Sequence, residues 1–386
     1  MSKSPSERTY LDAQTGGESF EWVPPVSAEA LNHRQLVDYN EHRKALIEWL
    51  AEAGKNPDMH EGYAESTVSN YAARLDKFYR WVWGQEGYTT RITHEHAEAY
   101  MECFATDQLC KENGDAYSGA HKRKTANAIE SLFAWRAHER NGDAWSSDRE
   151  FSESSGTSAD YFTLEERKLL REGSLEYGTI PAYNDLSPEE RTRWKAYLAQ
   201  RLGIPKEEVS PDDWKKINRS WKIPSLMFTA IDVGFRPVGV QRANRGWVKP
   251  EKGVLLVPKE DAVKDGDEWE VALTDRTVTM LERWFIERET YPKYDDSDAI
   301  WLNRKGNRYN SDTLNYLLDN LCEEVGIDTE HRDISWYSIR HSVSEYVASE
   351  GSLAEAQKQL RHKSPQTTTR YAGASVENRR DTLDKL

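Results

Sequence analysis

The segment from residue 333 to residue 373 constrains this chain most, because it concentrates cations, histidines and one separate tyrosine within about forty residues. Residues 335–341 (SWYSIRH) lead into an apolar-periodic segment that stops at Gly351. This pattern predicts a helix that ends at a glycine cap. Arg340 is therefore expected near the N-terminal end of that helix.

A second helix is predicted directly after the first. Ser352 and Glu355 have the spacing of a capping box, and apolar residues recur at helical intervals after them. The predicted helix ends at His362, just before Pro365. Tyr371 follows His362 by nine residues. The segment thus presents an arginine, a histidine and a tyrosine in a fixed order.

Taken singly, these residues indicate little. The chain has 19 Tyr and 52 Lys plus Arg, so any one of them is more readily explained as packing or as solvated surface. The combination resembles the C-terminal signature of the tyrosine recombinases, the integrase family, whose pattern is HxxRH, then LGH, then a nucleophilic tyrosine. Two positions depart from it: Tyr337 stands where the family usually has His, and Arg361 where it usually has Gly. The form found here is most similar to archaeal, especially haloarchaeal, integrases.

A chain of 386 residues exceeds one hydrophobic core, so two domains are expected. Residues 1–26 are polar and interrupted by Gly and Pro, and are predicted to form a flexible arm. Apolar periodicity predicts four helices, near residues 32–53, 65–83, 93–104 and 118–140, within a first domain of residues 27–145. Residues 146–160 are rich in Ser, Gly and Asp and are predicted to be a linker. Residues 161–386 form the second domain.

Two helices of the first domain carry basic residues in an otherwise acidic chain. A charge run is most often a solvated face. The position of these helices ahead of the tyrosine signature nevertheless resembles the SAM-like core-binding domain with which these recombinases close around DNA. The resemblance implies a DNA-binding role for Arg74, Lys77, Arg80, Lys122, Arg123, Lys124 and Arg136.

Residues 224–243 predict an apolar helix that ends at Gly234, with Arg236 between two helix termini. An arginine there can be a structural cap for exposed carbonyls. The sequence GFRP also resembles the context of the family's first catalytic arginine. It departs from the family at Gly239, where Glu is usual.

Residues 253–257 and 269–273 are predicted to pair as a β-hairpin, and helices are predicted to begin near residues 163 and 187 and to cover 274–289 and 312–324. Family members carry a catalytic lysine in or beside this hairpin turn. Counting from Arg236 favours Lys259, whereas counting back from the second strand favours Lys264, which we prefer. Either could instead be an edge-strand lysine that discourages aggregation. Residues 203–218 have no predicted role. The expected fold class is mostly α, an N-terminal helical domain plus an α-rich catalytic domain with a small antiparallel sheet.

The resemblance implies a mechanism. Tyr371 attacks the scissile phosphate and forms a covalent 3′-phosphotyrosine. Arg236 and Arg340 hold the non-bridging oxygens, because the planar fork of arginine fits phosphate and is always charged. His362 hydrogen-bonds the same phosphate in the transition state.

The remaining roles complete the reaction. Lys264 or Lys259 protonates the 5′ leaving oxygen. Tyr337 donates a hydrogen bond, because a phenol ordinarily titrates near pH 10 and is a poor base at neutral pH. The phosphoester energy is kept in the enzyme–DNA bond, so no cofactor or metal is expected, and the sequence has no GxxxxGK[ST], no HExxH and no dense carboxylate cluster.

The expected partners are double-stranded DNA recombination sites, bound by a homotetramer on two duplexes that is a monomer or dimer off DNA. A type IB topoisomerase and a non-catalytic DNA-binding regulator descended from a recombinase are the rival interpretations. The net charge of −14 opposes DNA binding, unless local basic faces act within a surface adapted to a salt-rich cytoplasm, as in halophiles. Three cysteines without CxxC spacing and no long apolar run favour a reducing cytoplasm and no membrane span.

Overall fold

The computed structural model describes residues 14–15, 18–19, 21–149, 151, 160–261 and 268–361. The chain divides into two compact units, residues 1–156 and 157–386. The division lies inside the segment that the sequence predicted as a linker. Each unit has its own hydrophobic core.

The first unit is a bundle of helices. Its elements are strands β1 (Gln14–Thr15) and β2 (Glu18–Ser19), which pair antiparallel, and helices α1 (Pro25–Glu29), α2 (His33–Glu52), α3 (Glu65–Glu86), α4 (His94–Ala105) and α5 (Gly119–Arg140). The four predicted helices are α2 to α5, and each begins within one residue of its predicted start. Asn32 and Thr93 begin α2 and α4 with capping boxes.

Val23 lies within the predicted N-terminal arm, yet it is buried in the first core with 1% of its surface exposed. Nearby, Ser27 donates to the buried carboxylate of Asp76 at 2.7 Å. Asp76 also pairs with Arg43 (3.4 Å) and Arg80 (3.1 Å). A buried carboxylate is tolerated when it is paired and hydrogen-bonded in this way. Residues 21–26 and α1 are thereby packed onto α2 and α3.

The second unit is helical with one small sheet. Its helices are α6 (Leu164–Glu176), α7 (Pro188–Leu202), α8 (Pro211–Lys216), α9 (Lys222–Val233), α10 (Pro237–Arg242), α11 (Asp275–Arg288), α12 (Ser311–Val325), α13 (Trp336–Glu350) and α14 (Leu353–Leu360). Strands β3 (Val248–Lys249), β4 (Val254–Val257) and β5 (Trp269–Ala272) form an antiparallel sheet in the order β3-β4-β5, with Val257 opposite Trp269. The mostly α fold with a small antiparallel sheet is confirmed. Among the described helices, none is long and apolar enough to cross a membrane.

Helix α14 ends earlier than predicted. Leu360 is its last residue, and Arg361 caps it with a left-handed φ of 52°. The sequence-based end at His362 was therefore two residues too late, because the left-handed turn at Arg361 stops the α-helical hydrogen bonding.

The segment between α6 and α9 has a small core of its own, in which Trp194 and Trp214 are buried. It contains residues 203–218, for which the sequence predicted no role. Glu287 of α11 is fully buried and accepts hydrogen bonds from four groups around this segment, namely Ser220 Oγ (2.5 Å), Trp221 N (2.9 Å), Tyr197 OH (3.2 Å) and Tyr291 OH (3.2 Å). Burial raises the pKa of Glu287, and these donors oppose that rise. The carboxyl group of Glu287 thus joins the segment between α6 and α9 to α11.

Candidate active site and nucleic-acid interface

Gly234 is the point at which three helices of the second unit meet. It caps α9 with a φ of +63°. A Cβ atom at this position would lie 2.5 Å from Leu360 Cδ2 of α14 and 3.4 Å from Val343 Cβ of α13. Only glycine combines this backbone conformation with so close an approach. The GF of the GFRP motif therefore sits against the two helices of the C-terminal signature.

Arg340 lies in this junction and is 5% exposed. Its Nη1 donates to the carbonyl oxygen of Gly234 at 2.7 Å, and its Nη2 donates to that of Leu360 at 2.6 Å. Both acceptors are helix-end carbonyls, which have no partner within their own helices. The guanidinium is consequently fixed between the ends of α9 and α14.

Arg236 is half-buried and occupies the N-cap position of α10, with Pro237 at the first helical position. Trp336, at the start of α13, donates its Nε1 proton to the carbonyl oxygen of Phe235 at 3.1 Å. Since Arg236 is two residues beyond Gly234, the structure brings both predicted arginines to one junction. At Gly239, where the family usually has Glu, a Cβ atom would lie 2.9 Å from Phe235 Cδ1. The Phe235 ring thus occupies the space that a larger residue would need.

Two side chains that the sequence did not single out hold α14 in place. Gln359 Nε2 donates to the carbonyl oxygens of Asp232 (2.9 Å) and Ala272 (3.1 Å). Trp269 Nε1 donates to the carbonyl oxygen of Lys358 at 3.3 Å. These bonds join α14 to α9 and to β5. One amide in an amphipathic helix gives no sequence signal for such a role.

The other predicted catalytic residues are spread over the described and undescribed parts of the chain. Tyr337 is 44% exposed on the first turn of α13. Lys259 is exposed two residues after β4. Lys264, His362 and Tyr371 lie outside the described residues. His341, which the sequence did not assign, is half-buried beside Arg340, and burial together with that cation lowers its pKa.

Three of the predicted DNA-binding residues contact groups of their own unit. Arg80 Nε pairs with Asp76 Oδ2 at 3.1 Å, and Lys122 Nζ pairs with Asp107 Oδ1 at 2.6 Å. Arg136 donates to the carbonyl oxygen of Ile92 and lies over the ring of Phe133. The structure therefore gives these three cations a local structural partner that the charge pattern alone did not reveal.

The other four predicted DNA-binding residues differ among themselves. Arg74 is half-buried, and its Nη1 donates to Thr125 Oγ1 (2.8 Å) and to the carbonyl oxygen of His121 (3.3 Å). Lys77 on α3 and Arg123 and Lys124 on α5 are exposed. Of the seven predicted residues, these three are the ones with exposed side chains.

Comparisons with known proteins agree with this geometry. The phage integrase family matches residues 220–378, which include both arginines and the C-terminal signature. No curated protein matches the sequence.

In the part of the chain that the structure describes, no group of three or more His, Cys, Asp or Glu side chains could hold a metal ion.

Several solved structures share the fold over most of the chain. The XerH site-specific recombinase bound to palindromic difH substrate in a post-cleavage complex is 16% identical, with a TM-score of 0.55 over 91% of this chain and 88% of that one. A lambda integrase tetramer bound to a Holliday junction is 13% identical, with a TM-score of 0.52 over 87% and 77%. The Tn1549 transposon integrase in complex with transposon right end DNA is 12% identical, with a TM-score of 0.50 over 88% and 98%. The chain therefore shares its fold with these recombinases and integrases.

Proposed function

We propose that this chain is a site-specific tyrosine recombinase, a DNA strand transferase that cleaves and rejoins DNA through a covalent 3′-phosphotyrosine at Tyr371. The observation that carries the proposal is the junction at Gly234. There Arg340 binds the carbonyl oxygens of Gly234 and Leu360. Gly234 is two residues before Arg236 in the sequence, and Leu360 is two residues before His362. The match of residues 220–378 to the phage integrase family supports the same function.

The roles of the site residues follow from their chemistry. Arg236 and Arg340 bind the non-bridging oxygens of the scissile phosphate and neutralise the charge that develops in the transition state. The fixed placement of Arg340 between helix ends favours the transition state, because its donors need no reorganisation during the reaction. His362 donates a further hydrogen bond to the phosphate, and Tyr371 attacks phosphorus. Tyr337 donates a hydrogen bond from the first turn of α13.

The proposed partner is double-stranded DNA that carries a recombination site. A homotetramer on two duplexes is the active assembly, with monomers or dimers off DNA, and the lambda integrase tetramer on a Holliday junction supports this stoichiometry by its fold. The exposed cations of α3 and α5 contribute the sequence-independent phosphate contacts. The net charge of −14 favours a salt-rich cytoplasm, as in the haloarchaea, as the working environment.

The first experiment uses a suicide duplex whose nicked strand cannot religate. Wild-type protein should accumulate a covalent adduct, and Tyr371→Phe should accumulate none while binding DNA within a few-fold, because only the attacking oxygen is lost. The matched control is Tyr316→Phe, since Tyr316 is 71% exposed on α12. An adduct with Tyr371→Phe would show that the nucleophile is another residue. Absence of any wild-type adduct would favour a regulator, and an adduct formed without paired core sites would favour a topoisomerase.

The second experiment identifies the general acid. A lysine-to-alanine variant at the true acid should regain cleavage on DNA with a 5′-bridging phosphorothiolate, because the sulfur leaves without a proton. We expect rescue for Lys264→Ala and little defect for Lys259→Ala. Rescue of Lys259→Ala alone would assign the acid to the lysine that follows β4.

A further inference from the structure

The first unit contains a cavity of about 320 Å³ between α3, α4 and α5. This size is within the range of small-ligand sites. Its apolar walls include the aromatic rings of Trp81, Tyr100, Phe104 and Tyr117. Tyr100 and Phe104 are buried, and Tyr117 stacks on His121 with ring centroids 4.2 Å apart. Neighbouring rings meet edge-on or tilted, and an aromatic lining of this kind favours a planar ring as occupant.

The two charged side chains that line the cavity are both cationic. Arg74 and Lys77 line it, and none of its described lining residues is a carboxylate. His121, also in the lining, has a pKa lowered to about 4, first by burial and then by Arg74, Lys77, Lys124 and Lys111. Four cations thus act on one point, in a chain that has 66 acidic and 52 basic residues. The cavity therefore favours an anion.

Hydrogen-bonding groups are present inside as well. Arg74 is held by Thr125 Oγ1 at 2.8 Å, so its position is fixed before any ligand arrives. Asn70 adds an amide that can both donate and accept. A planar apolar ring with polar edges and an attached anion would satisfy all three sets of groups.

We infer that this cavity binds a nucleotide, with the base stacked among the aromatic rings and the phosphate held by Arg74 and Lys77. The inference rests on the proposed function for its source, an unpaired nucleotide of the bound DNA. Stacking on aromatic side chains stabilises a bound base whatever its identity, because every base has a π-face. Base extrusion is least unfavourable where the nucleotide is already unpaired. A free nucleotide has the same chemistry and is the alternative source.

The first arm of the test uses the full chain and two duplexes, which differ only in one unpaired adenosine. Fluorescence anisotropy should give roughly tenfold tighter binding to the duplex with the unpaired nucleotide, as expected for stacking worth about 1.4 kcal/mol. Ala73→Trp, on the exposed face of α3 at the cavity lining, should remove this preference and leave affinity for paired DNA within about twofold. Ala99→Trp on the exposed face of α4 is the matched control and should keep it.

The second arm titrates the same proteins with deoxyadenosine 5′-monophosphate and with deoxyadenosine by calorimetry. Lys77→Gln should weaken binding of the monophosphate roughly tenfold and leave the affinity for the nucleoside unchanged, because one charge-assisted hydrogen bond is lost. Lys44→Gln, whose lysine is half-exposed on α2, is the control. If the monophosphate binds but the duplex with the unpaired adenosine is not preferred in the first arm, the cavity is a site for free nucleotides.

The outcomes separate this inference from the proposed function. A protein that forms the Tyr371 adduct but shows no Ala73→Trp-sensitive binding in either arm overturns the nucleotide site and leaves the recombinase intact. A protein that forms no adduct but binds the monophosphate in a manner abolished by Ala73→Trp supports the site and overturns the proposed function.

Discussion

At the scale of single residues, the clearest departure from the family pattern is also a point of backbone strain. Arg361 stands where the family usually has Gly, and it adopts a φ of 52° at the end of α14. The left-handed conformation places Cβ close to the following carbonyl oxygen in every residue except glycine. The sequence identified this position as unusual. The strain depends on where α14 ends, and without a glycine at the end of the helix the sequence does not signal that end.

We predict that Arg361→Gly is more stable than Arg361→Ala by about 1 kcal/mol, because only glycine enters the left-handed region without strain. Both variants remove the guanidinium and its contacts, so their difference isolates the backbone term. Urea unfolding curves of the two variants give the measurement. Equal stabilities would mean that the turn at residue 361 relaxes when the side chain is removed.

At the scale of elements, the junction of α9, α13 and α14 decides whether the site exists. The sequence predicted these helices and their arginine well, because capping residues and apolar periodicity are local signals. It did not predict that Arg340 would bind Gly234 and Leu360, or that Gln359 would join α14 to β5. Those contacts join parts of the chain up to 106 residues apart, and local patterns carry no information about them.

Gly234→Ala should lower the free energy of unfolding by about 2–4 kcal/mol, the sum of left-handed strain and overpacking. It should also abolish adduct formation, because the added methyl group displaces Leu360 and with it the end of α14. Thermal and urea unfolding together with the suicide-duplex assay provide the measurements.

The control for this prediction is Gly203→Ala. Gly203 caps α7 with a φ of +67°, and a Cβ atom there would meet nothing within 4 Å. Gly203→Ala should lower the free energy of unfolding only by the left-handed strain, about 1 kcal/mol, and should keep its activity. A Gly234→Ala protein as stable and active as the Gly203→Ala protein would contradict the close packing at the junction.

At the scale of the whole molecule, the charge balance opposes the proposed task. The chain has a net charge of −14, although the partner proposed for it, DNA, is a polyanion. The composition alone shows this conflict. It does not show that Arg80, Lys122 and Arg136 have partners within their own unit. Fewer cations are therefore available for DNA than the sequence indicated. Lys77, Arg123 and Lys124 remain as the exposed members of that set.

DNA affinity should therefore persist or pass through a maximum as KCl rises towards 1 M. At that concentration the Debye length is about 3 Å, so repulsion from the acidic surface is screened, whereas cations at contact distance are screened less. The thermal midpoint should rise as well, because self-repulsion weakens. Anisotropy and thermal unfolding across a KCl series measure both. A steep monotonic loss of binding with no gain in midpoint would contradict adaptation to salt.

The carboxyl group of Glu287 limits how the chain can be shortened. Three of its four donors, Tyr197, Ser220 and Trp221, lie within the segment between α6 and α9. A shortened protein without that segment would remove three of the four hydrogen-bond donors of the Glu287 carboxyl group. Deleting the segment between α6 and α9 therefore requires a substitution of Glu287 in the same variant.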